Sequence, residues 1–292
     1  MDNKFPGKDV SSDDKLNKFP LTASKKKKVV KISNNINFGS RYFPIISGPN
    51  TLENRDLMFK YCEFLEKQNL KLVRAAIYKP LTFPYRSKKY FEIGDEGIRI
   101  LEDLKKNFDV LFVTEIMESS KLEILSKIVD IFQIGARNMQ NFPLLNSVAK
   151  SHKPIILKRH FGCSIRDLFG ASEYILLNKN SNVILCERGV SAPHTHRSTS
   201  RFILDIQSIP AIKEYSCLPI IVDPSHACFW YKWVVDLALA SFSAGSHGLI
   251  LEVHPNPRKA AVDPLQSINF EDFKFLLLQL KKLAPIFKKK IV

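Results

Sequence analysis

The chain has 292 residues, of which 45% are hydrophobic and 25% charged, and a net charge of +15. That usage excludes a wholly disordered chain and leaves room for one large domain with its own core. Five cysteines without a C-x-x-C pair exclude a disulfide framework or a zinc ribbon, and no apolar run reaches membrane-spanning length.

The start of the chain, Met-Asp-Asn-Lys, lacks the apolar core of a signal peptide. A cytoplasmic protein is expected. The positive charge points to an anionic partner, which is nucleic acid, a membrane surface or a small substrate. Nucleic acid calls for Lys and Arg clustered on one face among stacking aromatics. Here the most telling cations are dispersed along the chain at the ends of apolar runs, which favours a small anionic substrate and neither nucleic acid nor membrane.

Residues 1–36 hold nine lysines against four aspartates, four of the lysines in the run Lys25 to Lys28. They show no apolar period and read as a flexible, disordered tail. From residue 37 to 292 short β-branched runs alternate with longer amphipathic stretches. Strands are expected at 42–47, 70–77, 110–114, 128–134, 154–157, 183–186, 219–222 and 248–251. Helical patterns are expected at 57–68, 97–108, 121–127, 142–151, 165–177, 230–244 and 270–283. Strands alternating with helices imply a parallel sheet, and near-continuous apolar strands imply burial on both faces. Eight units in this length predict an α/β (β/α)₈ TIM barrel, with a doubly wound open sheet as runner-up. No G-x-G-x-x-G or P-loop follows any run, which argues against a nucleotide-binding version.

In such a barrel the chemistry gathers at the C-terminal strand ends. The residues there are Gly48-Pro49-Asn50, Arg74 with Lys79, Glu115, Gly135-Ala136-Arg137-Asn138, Lys158-Arg159, Glu187-Arg188-Gly189, Asp223 to His226, and Glu252 to Pro255. Arg74, Lys79, Arg137, Lys158 and Arg188 aimed at one mouth repel one another unless acids such as Glu115 and Glu187, or a bound anion, offset them. A substrate bearing phosphate and carboxylate groups fits the set, because Arg forks bind both and Lys serves as a point charge. A second constellation is His226, Glu252 and Asp263, a set suited to Mn, Fe or Zn, with a plain polar network as the alternative.

Several of these segments resemble one family. "DIFQIGARNMQNFPLL" from Asp130, "KPIILKR" ending at Arg159, "NVILCERG" ending at Gly189, "PIIVDPSHA" ending at Ala227, "GLILEVHPNPRKA" ending at Ala260 and "QSI" from Gln266 are similar to motifs of the 3-deoxy-7-phosphoheptulonate (DAHP) synthases. The branch resembled is the short one related to the 3-deoxy-octulosonate 8-phosphate synthases. The resemblance runs from about Pro44 to Phe270. It implies condensation of phosphoenolpyruvate with erythrose 4-phosphate, the first step of the shikimate route to aromatic amino acids, by a homodimer or homotetramer. It also implies roles. Arg74 and Lys79 hold the enolpyruvate carboxylate end, while Ala136, Arg137, Lys158 and Arg188 hold its phosphate. Lys79, Lys158 and His226 act in catalysis, Thr82 and Arg201 help to bind substrate, and His226, Glu252 and Asp263 are the metal ligands.

Three departures qualify the resemblance. The family's metal-binding Cys after the first strand is Asn50, a poor ligand for metals that favour thiolate, and the related octulosonate synthases include metal-independent members with Asn there. The family's Lys-Pro-Arg-Thr is Lys79-Pro80-Leu81-Thr82, leaving Arg86 or Arg201 to take the tetrose phosphate. The stretch 190–200 is longer than usual, and "CFWYKW" from Cys228 replaces a more basic one. The alternatives to a DAHP synthase are a related enzyme with another aldose phosphate, of the octulosonate type, and a diverged barrel that binds phosphoenolpyruvate without turnover.

Overall fold

Apolar β-branched residues at every second position make two-faced strands, and eight such strands close on themselves in a computed structural model that describes residues 19–79, 93–194, 196 and 202–292. The barrel strands are β1 (Ile45–Gly48), β2 (Leu72–Arg74), β3 (Leu111–Glu115), β4 (Ile131–Ile134), β5 (Ile155–Lys158), β6 (Val183–Glu187), β7 (Ile220–Val222) and β8 (Leu249–Glu252). All neighbours are parallel, and β8 returns to β1 with Leu249 opposite Ile45 and Glu252 opposite Gly48. The expected (β/α)₈ barrel is therefore present, and the open sheet is not.

The helices are α1 (Arg55–Lys67), α2 (Asp95–Asn107), α3 (Leu122–Ser126), α4 (Phe142–Ala149), α5 (Ile165–Leu177), α6 (Ser208–Tyr215), α7 (Pro224–Cys228), α8 (Tyr231–Ser243) and α9 (Phe270–Leu283). Local chemistry sets their starts. Asn54 accepts the Leu57 N–H at 2.9 Å ahead of α1, Ser164 and Asp167 form a reciprocal capping box on α5, and Asn269 accepts the Glu271 and Asp272 N–H groups ahead of α9. Each leaves an apolar stripe for the barrel. On α1 it is Met58, Tyr61, Cys62 and Leu65, at the spacing of one helical face.

The barrel interior is filled by one residue from every strand: Ile46, Leu72, Val113, Ile131, Ile156, Ile184, Ile221 and Ile250. All eight are buried. Val30, Ile36 and Phe38 join this cluster from below. Val30 and Phe38 belong to an antiparallel pair, Val30–Lys31 with Asn37–Phe38, that covers the N-terminal end of the barrel, and Ile36 lies in the connection between the two strands. The other strand faces and the helix stripes form the larger outer core.

Two expectations are corrected. The first run, 42–47, is two strands. Pro44 has no N–H for the ladder, and Tyr42–Phe43 pairs instead with Lys290–Ile291 near the end of the chain. The tail does not extend to residue 36, because residues 19–36 dock on the barrel. The Thr22 N–H donates to Glu173 Oε1 at 2.6 Å, the Thr22 and Ser172 hydroxyls meet at 2.7 Å, and Phe19 meets Phe169 edge to face. Residues 1–18 lie outside the described ones. A helix without a counterpart in the sequence reading, α6, is only eight residues long and carries Pro210 in its first turn.

Candidate active site

Side chains on a strand alternate between faces, so the residue two beyond each interior apolar residue points inward again, one layer nearer the C-terminal mouth. Counting from the eight interior residues gives Gly48, Arg74, Glu115, Gln133, Lys158, Cys186, Asp223 and Glu252. The strand pattern that makes the core thus also sets a polar layer directly above it. Two glycines make room there. A Cβ on Gly48 would lie 2.3 Å from the Arg74 carbonyl oxygen, and one on Gly135 would lie 2.0 Å from Glu115 Oε1.

Above this layer opens a cavity lined by Arg74, Lys79, Ala136, Arg137, Lys158 and Arg188, with Glu115, Gln133, Gly135, Phe161 and His226. The five cations expected at one mouth do meet there. Arg74, Lys79, Lys158 and Arg188 are buried, while Arg137, in a 3₁₀ turn after β4, is exposed. Acids hold three of them in place. Lys158 Nζ lies 2.5 Å from Asp223 Oδ2, Arg74 Nη1 donates to Glu252 Oε1 at 2.9 Å, and Lys79 Nζ stands 3.6 Å from Glu115 Oε2. The Arg188 guanidinium lies over the Phe202 ring, 4.3 Å from its centre. A buried cation cluster held by carboxylates on one side keeps its remaining N–H donors for an anion on the other.

The charges are tuned by burial and by each other. Burial lowers the Lys79 pKa, with Arg74 acting in the same direction and Glu115 against it. Burial works against the Asp223 carboxylate, yet His226 and Lys158 hold its pKa well below the usual range. Burial, with Lys158 and Arg74, keeps His226 well below the usual imidazole value. Glu252 is pushed up to about 7 by burial, with Asp263 adding to the effect and Arg74 opposing it.

His226, Glu252 and Asp263 also meet, with one ligand atom of each lying within 4.8 Å of the others. His226 Nε2 is 3.0 Å from Glu252 Oε1, and its Nδ1 lies 2.7 Å from Asp223 Oδ2 without the alignment of a hydrogen bond. Asp263 takes a left-handed backbone conformation, φ 51°, which Asp tolerates better than most residues. An imidazole and two carboxylates suit a divalent ion such as Mn, Fe or Zn. Asn50 departs from that fit. Its Nδ2 donates to Asp263 Oδ2 at 2.7 Å, and its Oδ1, the side chain's ligating atom, accepts from Arg74 Nη2 at 3.0 Å.

Pro80, Leu81, Thr82, Arg86 and Arg201 lie outside the described residues. The segment from Val190 includes a short antiparallel pair, Val190–Ser191 with Phe202–Ile203. The aromatic stretch after Cys228 starts a helix, with Trp230 at the N-cap of α8. Sequence reasoning placed Asp223 and Arg159 at strand ends without giving them a role, and it missed Gln133 and Phe161. Asp223 and Gln133 are two residues beyond Ile221 and Ile131, so the strand period itself points to them.

Comparison with known proteins gives one answer. The family model described as the DAHP synthetase I family matches residues 23–289. A phospho-2-dehydro-3-deoxyheptonate aldolase of Thermotoga maritima is 39% identical over 249 residues, covering 85% of this chain and 72% of that protein. A 2-dehydro-3-deoxyphosphooctonate aldolase of Syntrophobacter fumaroxidans is 27% identical over 257 residues, covering 83% of this chain and 87% of its own. Among solved structures, the Thermotoga maritima DAHP synthase superposes with a TM-score of 0.84 at 36% identity, covering 91% of this chain and 76% of that one. A truncated form of the enzyme from the same organism also reaches 0.84 at 35% identity, covering 94% of this chain and all of its own. No helix among the described residues is long and apolar enough to cross a membrane. A barrel with this ring of cations at its mouth, matched over nearly its whole length, belongs to the DAHP synthetase I family.

Proposed function

We propose that the protein condenses phosphoenolpyruvate with erythrose 4-phosphate and releases inorganic phosphate. The observation that carries this reading is the meeting of Arg74, Lys79, Arg137, Lys158 and Arg188 around one cavity. Arg137, Lys158 and Arg188 hold the enolpyruvate phosphate, while Arg74 and Lys79 face its carboxylate end. C3 of the enolpyruvate attacks the sugar aldehyde, water adds at C2, and the C2–O bond to phosphate breaks. Fixed cations stabilise the charge that moves onto the leaving phosphate. The Lys158–Asp223–His226 chain keeps a proton within reach of the reacting carbons, with Asp223 ionised and His226 neutral as their surroundings dictate.

His226, Glu252 and Asp263 are the residues that would hold a divalent ion, which when bound polarises the aldehyde. The Asn50–Arg74 contact supports weak metal binding or none, because the amide oxygen already accepts from a guanidinium whose charge offsets Glu252. The relatives named as octulosonate-phosphate aldolases favour a second reading, with a pentose phosphate as acceptor. Phosphate release from phosphoenolpyruvate with erythrose 4-phosphate or arabinose 5-phosphate, in EDTA or Mn²⁺, tests both readings. Turnover with erythrose 4-phosphate in EDTA is the expected result. Binding of phosphoenolpyruvate without turnover on either sugar sinks the catalytic reading.

A further inference from the structure

Arg74, Lys79 and Lys158 rest on carboxylates. Beside Arg188 lies an aromatic ring. The carbon of its guanidinium sits 4.3 Å from the centre of the Phe202 ring and 6.0 Å from that of Phe161. The two rings stand 5.0 Å apart, tilted by 39°, and form one aromatic shelf. Phe161 comes from the turn after β5 and lines the cavity. Phe202 comes from the connection between β6 and β7.

The local backbone brings Phe202 to this place. Gly189 has φ 93°, so the chain turns directly after Arg188. A Cβ on Gly189 would lie 3.0 Å from the Phe202 Cβ and 3.0 Å from the Ala227 Cα. Glycine admits that approach, at a φ which other residues rarely adopt. Beyond the turn, Val190 pairs with Ile203 and Ser191 with Phe202, antiparallel. The Ser191 N–H donates to the Phe161 carbonyl at 2.8 Å, which ties this pair to the turn after β5. Arg188 thus lies beside two segments that are locked to each other.

Part of this is ordinary packing. Phe202 is buried, as is Leu204 two residues on, while Ile203 between them is exposed. Alternation of this kind asks for an apolar residue at 202, and Leu would serve. It does not ask for a ring face presented to a guanidinium. That contact has a chemical use. A carboxylate partner offsets a cation and takes some of its N–H donors. An aromatic face attracts the cation through its quadrupole, leaves the charge whole, and keeps the in-plane N–H donors for a ligand.

We propose that Phe202 is a positioning residue: its ring, braced by Phe161, holds the Arg188 guanidinium at the cavity with charge and donors kept for the enolpyruvate phosphate. Only the identity of that anion rests on the reaction proposed above. The placement of Arg188 by the ring does not.

Calorimetric titration of the full-length protein with phosphoenolpyruvate compares Phe202→Leu with Phe202→Tyr. Loss of the ring is expected to weaken binding about 3- to 30-fold, the range of a cation–π contact from exposed to desolvated settings. The Tyr variant keeps an aromatic face and is expected to bind close to the parent. In steady-state kinetics the Leu variant raises KM for phosphoenolpyruvate more than it lowers kcat. In an Arg188→Gln background the Leu change is expected to cost little further affinity, because the residue it acts through is gone. Thermal melts followed by circular dichroism check that each variant folds. One readout needs no ligand. The Arg188 side-chain N–H resonance, assigned by its absence from Arg188→Gln, is displaced upfield by the ring in the parent and in the Tyr variant, and returns toward its usual position in the Leu variant. Unchanged affinity in Phe202→Leu overturns the proposal, and so does an equal loss with and without Arg188. If the parent fails to bind phosphoenolpyruvate, the reaction reading falls and the resonance decides alone. A position unmoved by Phe202→Leu then sinks the role of the ring, and a returned position sustains it.

Discussion

Arg159 Nη1 lies 2.9 Å from Glu187 Oε2, a buried ion pair joining the residue after Lys158 to the residue before Arg188. Arg159 also donates to Asp205 Oδ2 at 2.7 Å. The other oxygen of Glu187 accepts the Gly189 N–H at 2.6 Å, so one carboxylate grips the chain on both sides of Arg188. Burial raises the Glu187 pKa against the opposing pull of Arg159.

Removing Arg159 leaves that carboxylate buried and unpaired. Arg159→Leu is expected to destabilise the fold by about 3–5 kcal/mol in urea denaturation, because the partner charge loses its compensation. Glu187→Gln added to it keeps an acceptor for Gly189 without the charge, and is expected to recover part of the loss. If the two changes add without recovery, the pair does not work as described. In the single variant KM for phosphoenolpyruvate rises more than kcat falls, since Arg188 loses its fixed position.

Lys158 contributes its contact from a buried position paired to Asp223. Lys158→Gln is expected to weaken phosphoenolpyruvate binding by about 10- to 150-fold, the equivalent of ~1.5–3 kcal/mol for a charge-assisted hydrogen bond. Calorimetric titration measures it, and an unchanged Kd removes Lys158 from the anion pocket.

Asn50→Cys exchanges an amide engaged with Arg74 and Asp263 for a thiol that can ionise onto a metal. After dialysis against Co²⁺ the variant is expected to retain close to one ion per chain and to show the absorption of a thiolate–cobalt bond, while the parent retains far less. Equal retention by the two proteins contradicts the link between Asn50 and weak metal binding. This readout does not depend on turnover.

The fold also carries a pH signature at His247, which burial first, and then Lys289, Lys213 and Lys27, hold down to about 3 from an ordinary 6.5. Above pH 6.5 the ring is neutral in folded and unfolded chains alike, and its stabilising effect is fully present. As pH falls from 6.5 toward 3, the unfolded chain takes up a proton that the folded chain refuses, and stability drops by about 1.4 kcal/mol per unit. His247→Gln, which can still accept the Ile220 N–H that meets Nδ1 at 3.1 Å, is expected to flatten this part of the curve. Urea midpoints at pH 7.5, 6.5, 5.5 and 4.5 make the comparison, and parallel slopes for the two proteins would refute it.

The barrel was readable from sequence because a run such as Val183 to Cys186 is buried on both faces and so is apolar at every position. The mouth was readable because a charged residue at the end of such a run has no structural reason to be there. Arg74, Lys158 and Glu252 betray themselves in this way. Asp223 was visible at its strand end but its role was not, because that role rests on Lys158 and His226, and proximity across a closed sheet leaves no mark on local spacing. The same holds for Arg159 and Glu187, whose pairing spans neighbouring strands. The docking of residues 19–36 was hidden for a different reason. Thr22 is held by hydrogen bonds to Glu173 and Ser172, and the few apolar anchors, Phe19, Val30 and Ile36, follow no period.

The hairpin of Val30 and Phe38 beneath the eight interior residues makes the barrel a cup with a dry base. Among the described residues the base is closed by apolar side chains, so whatever reacts above it comes and goes at the C-terminal mouth. On the reaction proposed above, enolpyruvate at Lys158 and Arg74 must therefore be seated before the sugar arrives over it. Order of traffic is thus written into the shape of the vessel, ahead of any difference in affinity.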